Sequence, residues 1–189
     1  FPIRRLLVAT NENDILDRFF KTGEYALGEV FRTNSPAMDI QVASNFERFL
    51  FYHFDEDANR LCGVMEEFVR SGKASVDGPL PSDIFLSCSI SQSDTEETIA
   101  EINSKYGYVI DPHTAVGICA ARSIVTCDPI VCIATAHPAK FPDALGRAIG
   151  YRPTHARLSG LIDLQQRKQE VSADELEVKK VIQNFTATV

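Results

Sequence analysis

The sequence predicts an α/β fold, a three-layer arrangement in which a sheet is covered by helices on both faces. Three observations carry this. Short apolar runs at residues 5–10, 84–90 and 129–134 alternate with stretches whose apolar residues recur at three- and four-residue spacing. The periodic stretches are bracketed by helix-start and helix-stop residues. The composition, 44% apolar and 24% charged over 189 residues, is that of a chain with a packed core. Strands alternating with helices of this length point to a covered sheet rather than a bundle or a sandwich.

Residues 5–10 read as a buried strand, followed by a helix start with Asn11 or Asn13 as N-cap. Ile15, Leu16, Phe19 and Phe20 then keep helical spacing up to Gly23. Ser44-Asn45-Phe46-Glu47 has the form of a capping box, in which Ser accepts from a backbone N–H and Glu reaches back. Leu61, Val64, Met65, Phe68 and Val69 form one apolar helical face that stops at Gly72. Ile84, Leu86, Cys88 and Ile90 alternate with period two, as in a strand.

Ser93-Asp94-Thr95-Glu96 is a second box before a helix presenting Ile99, Ile102 and Tyr106, ending at Gly107. Asp111-Pro112-His113-Thr114 leads into a small-residue helix, either as a proline turn capped by Thr114 or with Asp111 and His113 as a carboxylate–imidazole pair. Residues 129–134 read as another buried strand. Phe141, Ala144, Leu145, Ala148 and Ile149 then hold helical spacing up to Gly150. Residues 153–170 are a surface helix or a connection. A third box, Ser172-Ala173-Asp174-Glu175, precedes a helix with Val178, Val181, Ile182 and Phe185 on one face.

With 19 basic and 26 acidic side chains the net charge is −7, and the basic residues are scattered, which argues against a nucleic-acid partner. No run approaches the roughly 18 apolar residues of a membrane span. Five cysteines without a CxxC pair read as reduced, buried thiols of a cytoplasmic protein, and four dispersed histidines give no metal-ligand spacing, so no metal is expected. The chain opens on Phe1 directly before a strand, which reads as a processed protein or a cut from a longer one.

Ligands of open α/β sheets lie beyond the carboxyl ends of strands, where helix N-termini converge. Two such places occur, at residues 11–14 and 135–140. In the second, a hydroxyl (Thr135), an imidazole (His137), Pro138 and an ammonium (Lys140) fall within six residues, although each also has a plain structural role available: backbone satisfaction, helix initiation, a solvated charge. Capping accounts for Ser44 and Glu47, leaving Asn45 and Arg48 as candidate anion contacts.

Four strings, residues 8–14, 35–48, 111–117 and 135–141, resemble in order segments of the long bacterial and fungal form of threonine synthase. The resemblance implies the C-terminal portion of a pyridoxal 5'-phosphate enzyme of the tryptophan-synthase-β-like fold (fold type II), a carbon–oxygen lyase converting O-phosphohomoserine and water to threonine and phosphate. It also implies that Thr135 faces the pyridine nitrogen of the cofactor.

Asn45, Arg48, His113, His137 and Lys140 are the candidates for holding the substrate phosphate, with Asn11, Ser35 and Asp39 as further residues of the matching strings. The Schiff-base lysine and the phosphate-binding glycine-rich loop are expected upstream, so that none of the seven lysines, Lys140 included, takes the catalytic role and the chain is inactive alone. The expected organisation is one C-terminal portion over 1–189, with a helical tail from about 153, whose partner is the N-terminal part of the same enzyme. Two alternatives stand beside this reading: a threonine-synthase-like phospho-lyase releasing a keto acid, and a noncatalytic α/β binding module.

Overall fold

The computed structural model describes residues 2–161 and 163–186. In chain order the elements are β1 (Leu6–Thr10), α1 (Ile15–Thr22), β2 (Glu24–Ala26), a 3-10 turn (Pro36–Met38), α2 (Phe46–His53), α3 (Ala58–Ser71), β3 (Lys73–Ser75), β4 (Phe85–Ser89), α4 (Gln92–Tyr106), α5 (Pro112–Arg122), a 3-10 turn (Pro138–Lys140), α6 (Pro142–Ile149), the single turn α7 (Ala156–Ser159) and α8 (Glu175–Thr186). They divide into two compact units, one ending at His155 and the other starting at Ala156.

In the first unit β1 and β4 pair in parallel, from Leu6 opposite Phe85 to Thr10 opposite Ser89. Successive side chains of a strand point to opposite faces. Leu7, Ala9 and Cys88 therefore share one face and pack with Val116, Cys119 and Ala120 of α5. Phe85 and Ser87 point the other way, where Phe20 of α1 stacks on Phe85 at 5.3 Å and Ser87 donates to the Asp17 carbonyl at 3.4 Å. Helices thus cover both faces, the layering expected from the alternation of elements. The antiparallel pair β2–β3, with Tyr25 opposite Ala74, forms a separate small ribbon.

Below α1 an aromatic core closes around the fully buried Phe19 and Tyr25. Phe19 meets Phe46 edge-on at 4.6 Å, and Tyr25 stacks on Phe46 at 4.0 Å. A second core joins α4, α5 and α6 through Ile99, Ile110, Ala115 and Leu145. Gly23, Gly72, Gly107 and Gly150 end α1, α3, α4 and α6 in the left-handed conformation, as their positions predict.

Several expectations are corrected. Residues 129–134 are not a buried strand: Val131 is 73% and Ile133 71% exposed, and the segment pairs with no strand among the described residues. The apolar pattern is that of a strand, but an extended segment is buried only where a neighbour takes up its backbone groups, and this segment lies on neither edge of the two-stranded β1–β4 sheet. The Ser44 box does not form. Asn45 is the cap, with no side-chain cap bond, and entry into α2 is set by the Phe46 amide donating to the Ala43 carbonyl as Phe46 packs into the aromatic core.

Neither Asn11 nor Asn13 caps α1, whose N-cap is Asp14, because both asparagines are recruited into a buried network. α4 starts two residues earlier than expected. Ser91 caps it by accepting from the Asp94 amide at 3.1 Å, while Glu96 is drawn to Asn34. Asp174, not Ser172, accepts the Glu177 amide at the start of α8. Asp111, not Thr114, caps α5. Val69 and Tyr106 are exposed although they hold periodic positions, as are Ile182 and Phe185 of α8. No cysteine is buried: Cys62 and Cys127 are exposed and the other three half-buried, all of them free thiols. No helix among the described residues is long and apolar enough to cross a membrane.

Candidate active site

Beyond the carboxyl end of β1, the chain builds a polar floor around Asp39. Its Oδ1 accepts from Asn11 Nδ2 at 2.8 Å, Asn13 Nδ2 at 3.1 Å and Thr33 Oγ1 at 2.7 Å, and its Oδ2 accepts from the Thr33 amide at 2.9 Å. Asn11 also donates to Ser35 Oγ at 3.0 Å, and Asn11, Asn13 and Ser35 are nearly inaccessible to solvent. Buried polar groups are tolerated only when bonded, so this network fixes the 33–39 loop rather than leaving it to move. Asn34, on the same loop, is held at its amide nitrogen by Glu96 of α4 at 2.5 Å and at its amide oxygen by Arg147 of α6.

The loop meets α5 at one point. Asp111, 1% exposed, accepts from the His113 amide at 2.9 Å, from His113 Nδ1 at 2.9 Å and from the Thr114 hydroxyl. Burial pushes the Asp111 carboxyl up, but the hydrogen bonds from His113 and Thr114 outweigh it and hold the group below the ordinary aspartate value. The Ala37 amide donates to His113 Nε2 at 3.2 Å, so the imidazole carries its proton on Nδ1 and gives it to Asp111. The His113 ring lies 4.9 Å from that of Phe141, which closes the Pro138–Lys140 turn.

The structure brings some of the sequence candidates together and separates others. Asn11, Ser35 and Asp39 share the polar floor, and His113 joins the 36–38 turn to the 138–141 segment. His137 caps that second turn, its Nδ1 accepting from the Ala139 amide at 3.1 Å, and packs against His155 at 4.8 Å. Lys140 is exposed. Thr135 is exposed on the preceding extended segment, and its hydroxyl has no partner among the described residues. Asn45 and Arg48 lie apart from these, lining a cavity of about 480 Å³ with Phe49, Tyr52, His53, Pro81, Ile84 and Phe85 at the amino end of β4.

Sequence reasoning missed Asn13, Thr33 and the Ala37 amide. Nothing in their spacing marks them, because the bonds that recruit them reach across the chain: Asn13 to Asp39 over 26 positions, Thr33 to Asn11 over 22 and Ala37 to His113 over 76. All seven lysines are exposed, so none is desolvated in the way that would activate an amine. Among the described residues no cluster of three or more His, Cys, Asp or Glu is arranged to hold a metal ion.

Residues 114–182 match the family model described as threonine synthase, C-terminal. A threonine synthase of Pseudomonas aeruginosa is 39% identical over 186 residues, covering 95% of this chain and 39% of the relative. A crystal structure of PLP-bound threonine synthase from Brucella melitensis superposes with a TM-score of 0.80 at 41% identity, over 97% of this chain and 40% of that one. The threonine synthase structure from yeast gives 0.78 at 35% identity, over 100% of this chain and 43% of that one. The chain thus spans about two fifths of the length of the proteins it matches.

The α-sheet-α layering and these neighbours together define the class as fold type II, the tryptophan-synthase-β-like architecture. Within that class the chain belongs to the threonine synthase family and corresponds to its C-terminal portion.

Proposed function

We propose that this chain supplies the C-terminal part of the active site of a pyridoxal 5'-phosphate enzyme that converts O-phosphohomoserine and water to threonine and phosphate. The observation that carries the reading is the superposition on PLP-bound threonine synthase along 97% of the chain at 41% identity. The exposed, unpartnered Thr135 hydroxyl fits a pyridine nitrogen, and no lysine here competes for the cofactor's aldehyde because none is desolvated.

When bound, the cofactor serves as an electron sink for the substrate. Thr135 meets its ring nitrogen with a neutral hydroxyl, which leaves that nitrogen less firmly protonated than a carboxylate would. The network around Asp39 holds the 33–39 loop in one arrangement, so that Asn34 and Ser35 keep fixed positions at the carboxyl end of β1. Among the candidate phosphate contacts, His113 has both ring nitrogens engaged, while His137, whose Nδ1 accepts from the Ala139 amide, has an Nε2–H to donate, which favours His137 and the exposed Lys140. Arg48 and Asn45 would serve a phosphate only from the separate cavity they line.

The partner is the N-terminal part of the same enzyme, which carries the covalent lysine and the phosphate-binding loop. The residues from about 153 onward form a helical tail to this portion, and the enzyme works in the cytoplasm.

The test uses the complete enzyme loaded with cofactor. Wild type is expected to form threonine and phosphate in equal amounts. Thr135→Ser is expected to keep the activity, and Thr135→Val to lose tenfold or more, since about 1.4 kcal/mol of differential stabilisation is one decade in rate. Formation of a keto acid in place of threonine, or a Thr135→Val enzyme as fast as wild type, would overturn the reading.

A further inference from the structure

The buried Asp111–His113 pair has the look of an acid–base dyad, but its connections say otherwise. His113 Nδ1 gives its proton to Asp111 at 2.9 Å, and Nε2 is occupied by the Ala37 amide at 3.2 Å. An imidazole whose donor and acceptor are both committed to protein groups has neither a proton nor a lone pair to offer a substrate. What it does have is three fixed attachments: Asp111 at the start of α5, the 36–38 turn through Ala37, and the 138–140 turn through the Phe141 ring at 4.9 Å. The first turn is continuous with the loop anchored by Asp39, and the second follows Thr135 by three residues. Two loops otherwise fastened to different elements are locked to each other at one side chain.

We propose that His113 is a positioning residue: held by Asp111, it clamps the 36–38 turn against the 138–140 turn and so sets the place of the Thr135 hydroxyl. The inference rests on the functional reading above. It goes beyond that reading by giving His113 a mechanical role in place of contact with the substrate phosphate.

Two variants test the clamp. In His113→Asn the amide nitrogen keeps the bond to Asp111 and the acceptor for Ala37 is lost. In Phe141→Leu both hydrogen bonds of the imidazole remain and the ring contact that reaches the 138–140 turn is lost. In the complete, cofactor-loaded enzyme, His113→Asn is expected to lower kcat by about five- to thirtyfold, the effect of one hydrogen bond in a coupled network, with KM for O-phosphohomoserine little changed. Phe141→Leu, which opens only the side of the clamp at the 138–140 turn, is expected to lower kcat by a smaller factor, again with KM little changed. Hydrogen exchange at the Ala37 amide is expected to speed up in His113→Asn alone, a readout independent of turnover.

A wild-type kcat in either variant, unaltered Ala37 exchange in His113→Asn, or a change in KM with kcat unaffected would overturn the clamp in an enzyme that still makes threonine. A complete wild-type enzyme that makes no threonine would overturn the functional reading, and this inference with it.

Discussion

Replacing Asp111 tests a buried carboxylate that accepts three hydrogen bonds. In Asp111→Ala, α5 loses its N-cap, worth about 1 kcal/mol. The His113 ring N–H and the Thr114 hydroxyl lose their acceptor, and a buried donor left unpaired costs about 1 to 3 kcal/mol. With two such donors the sum is about 3 to 7 kcal/mol, a large fraction of the stability of an ordinary domain. In Asp111→Asn, the amide oxygen accepts both His113 N–H groups and the Thr114 hydroxyl turns to accept from the amide nitrogen. Only the charge assistance is lost, about 1 to 2 kcal/mol.

The pH dependence of this contribution has a definite sign. The Asp111 carboxyl is held below the ordinary aspartate value, so folding favours its ionised form. Its contribution is present in full above the ordinary aspartate range and is lost as the pH falls through the depressed folded value. The gap between wild type and Asp111→Asn should therefore narrow in acid. Urea unfolding of the purified protein and both variants, at neutral pH and in acid, measures all of this. An alanine variant that costs less than about 1 kcal/mol, or a gap that widens in acid, would refute the reasoning.

Three other outcomes can be checked by unfolding. Tyr25→Phe keeps the buried ring but strands the Ala43 amide, which donates to the Tyr25 hydroxyl at 2.8 Å, and should cost about 1 to 3 kcal/mol. Burial pushes the Tyr25 phenol up, so its part of the stability is present below the ordinary tyrosine value and is lost at higher pH, and the Phe variant should lack that alkaline loss. Gly72→Ala places a Cβ at φ +74°, 3.3 Å from Leu27 Cδ1, and should destabilise by about 1 to 2 kcal/mol or slightly more. Phe19→Ala opens a hole at the centre of the aromatic cluster and should cost about 3 to 5 kcal/mol.

Local patterns read well from the sequence where the residues that decide them are neighbours in the chain. The helices ending at Gly23, Gly72, Gly107 and Gly150 and the strand at 84–90 were legible because spacing and a glycine stop are local signals. Cap identity was not. Ser91…Asp94 and Ser93…Glu96 are overlapping frames of the same motif, and the choice falls on Ser91 while Glu96 is engaged by Asn34, 62 residues away. Asn11 and Asn13 have the chemistry of caps, but a carboxylate on a distant loop competes successfully for them. The 129–134 segment carries a strand's residues without a strand's neighbour.

At the site, Thr135, His113 and Asp39 were marked by strings that resemble a family. That His113 faces a backbone amide and a phenylalanine, and that Arg48 lines a different cavity, is long-range information that no short window contains.

The most direct measurement is the crystal structure of the complete, cofactor-loaded enzyme. The account predicts the Thr135 hydroxyl oxygen about 2.7 to 3.0 Å from the pyridine nitrogen, at hydrogen-bond distance. A Thr135 side chain turned into hydrocarbon, or an Asp or Glu carboxylate occupying that place instead, would contradict it.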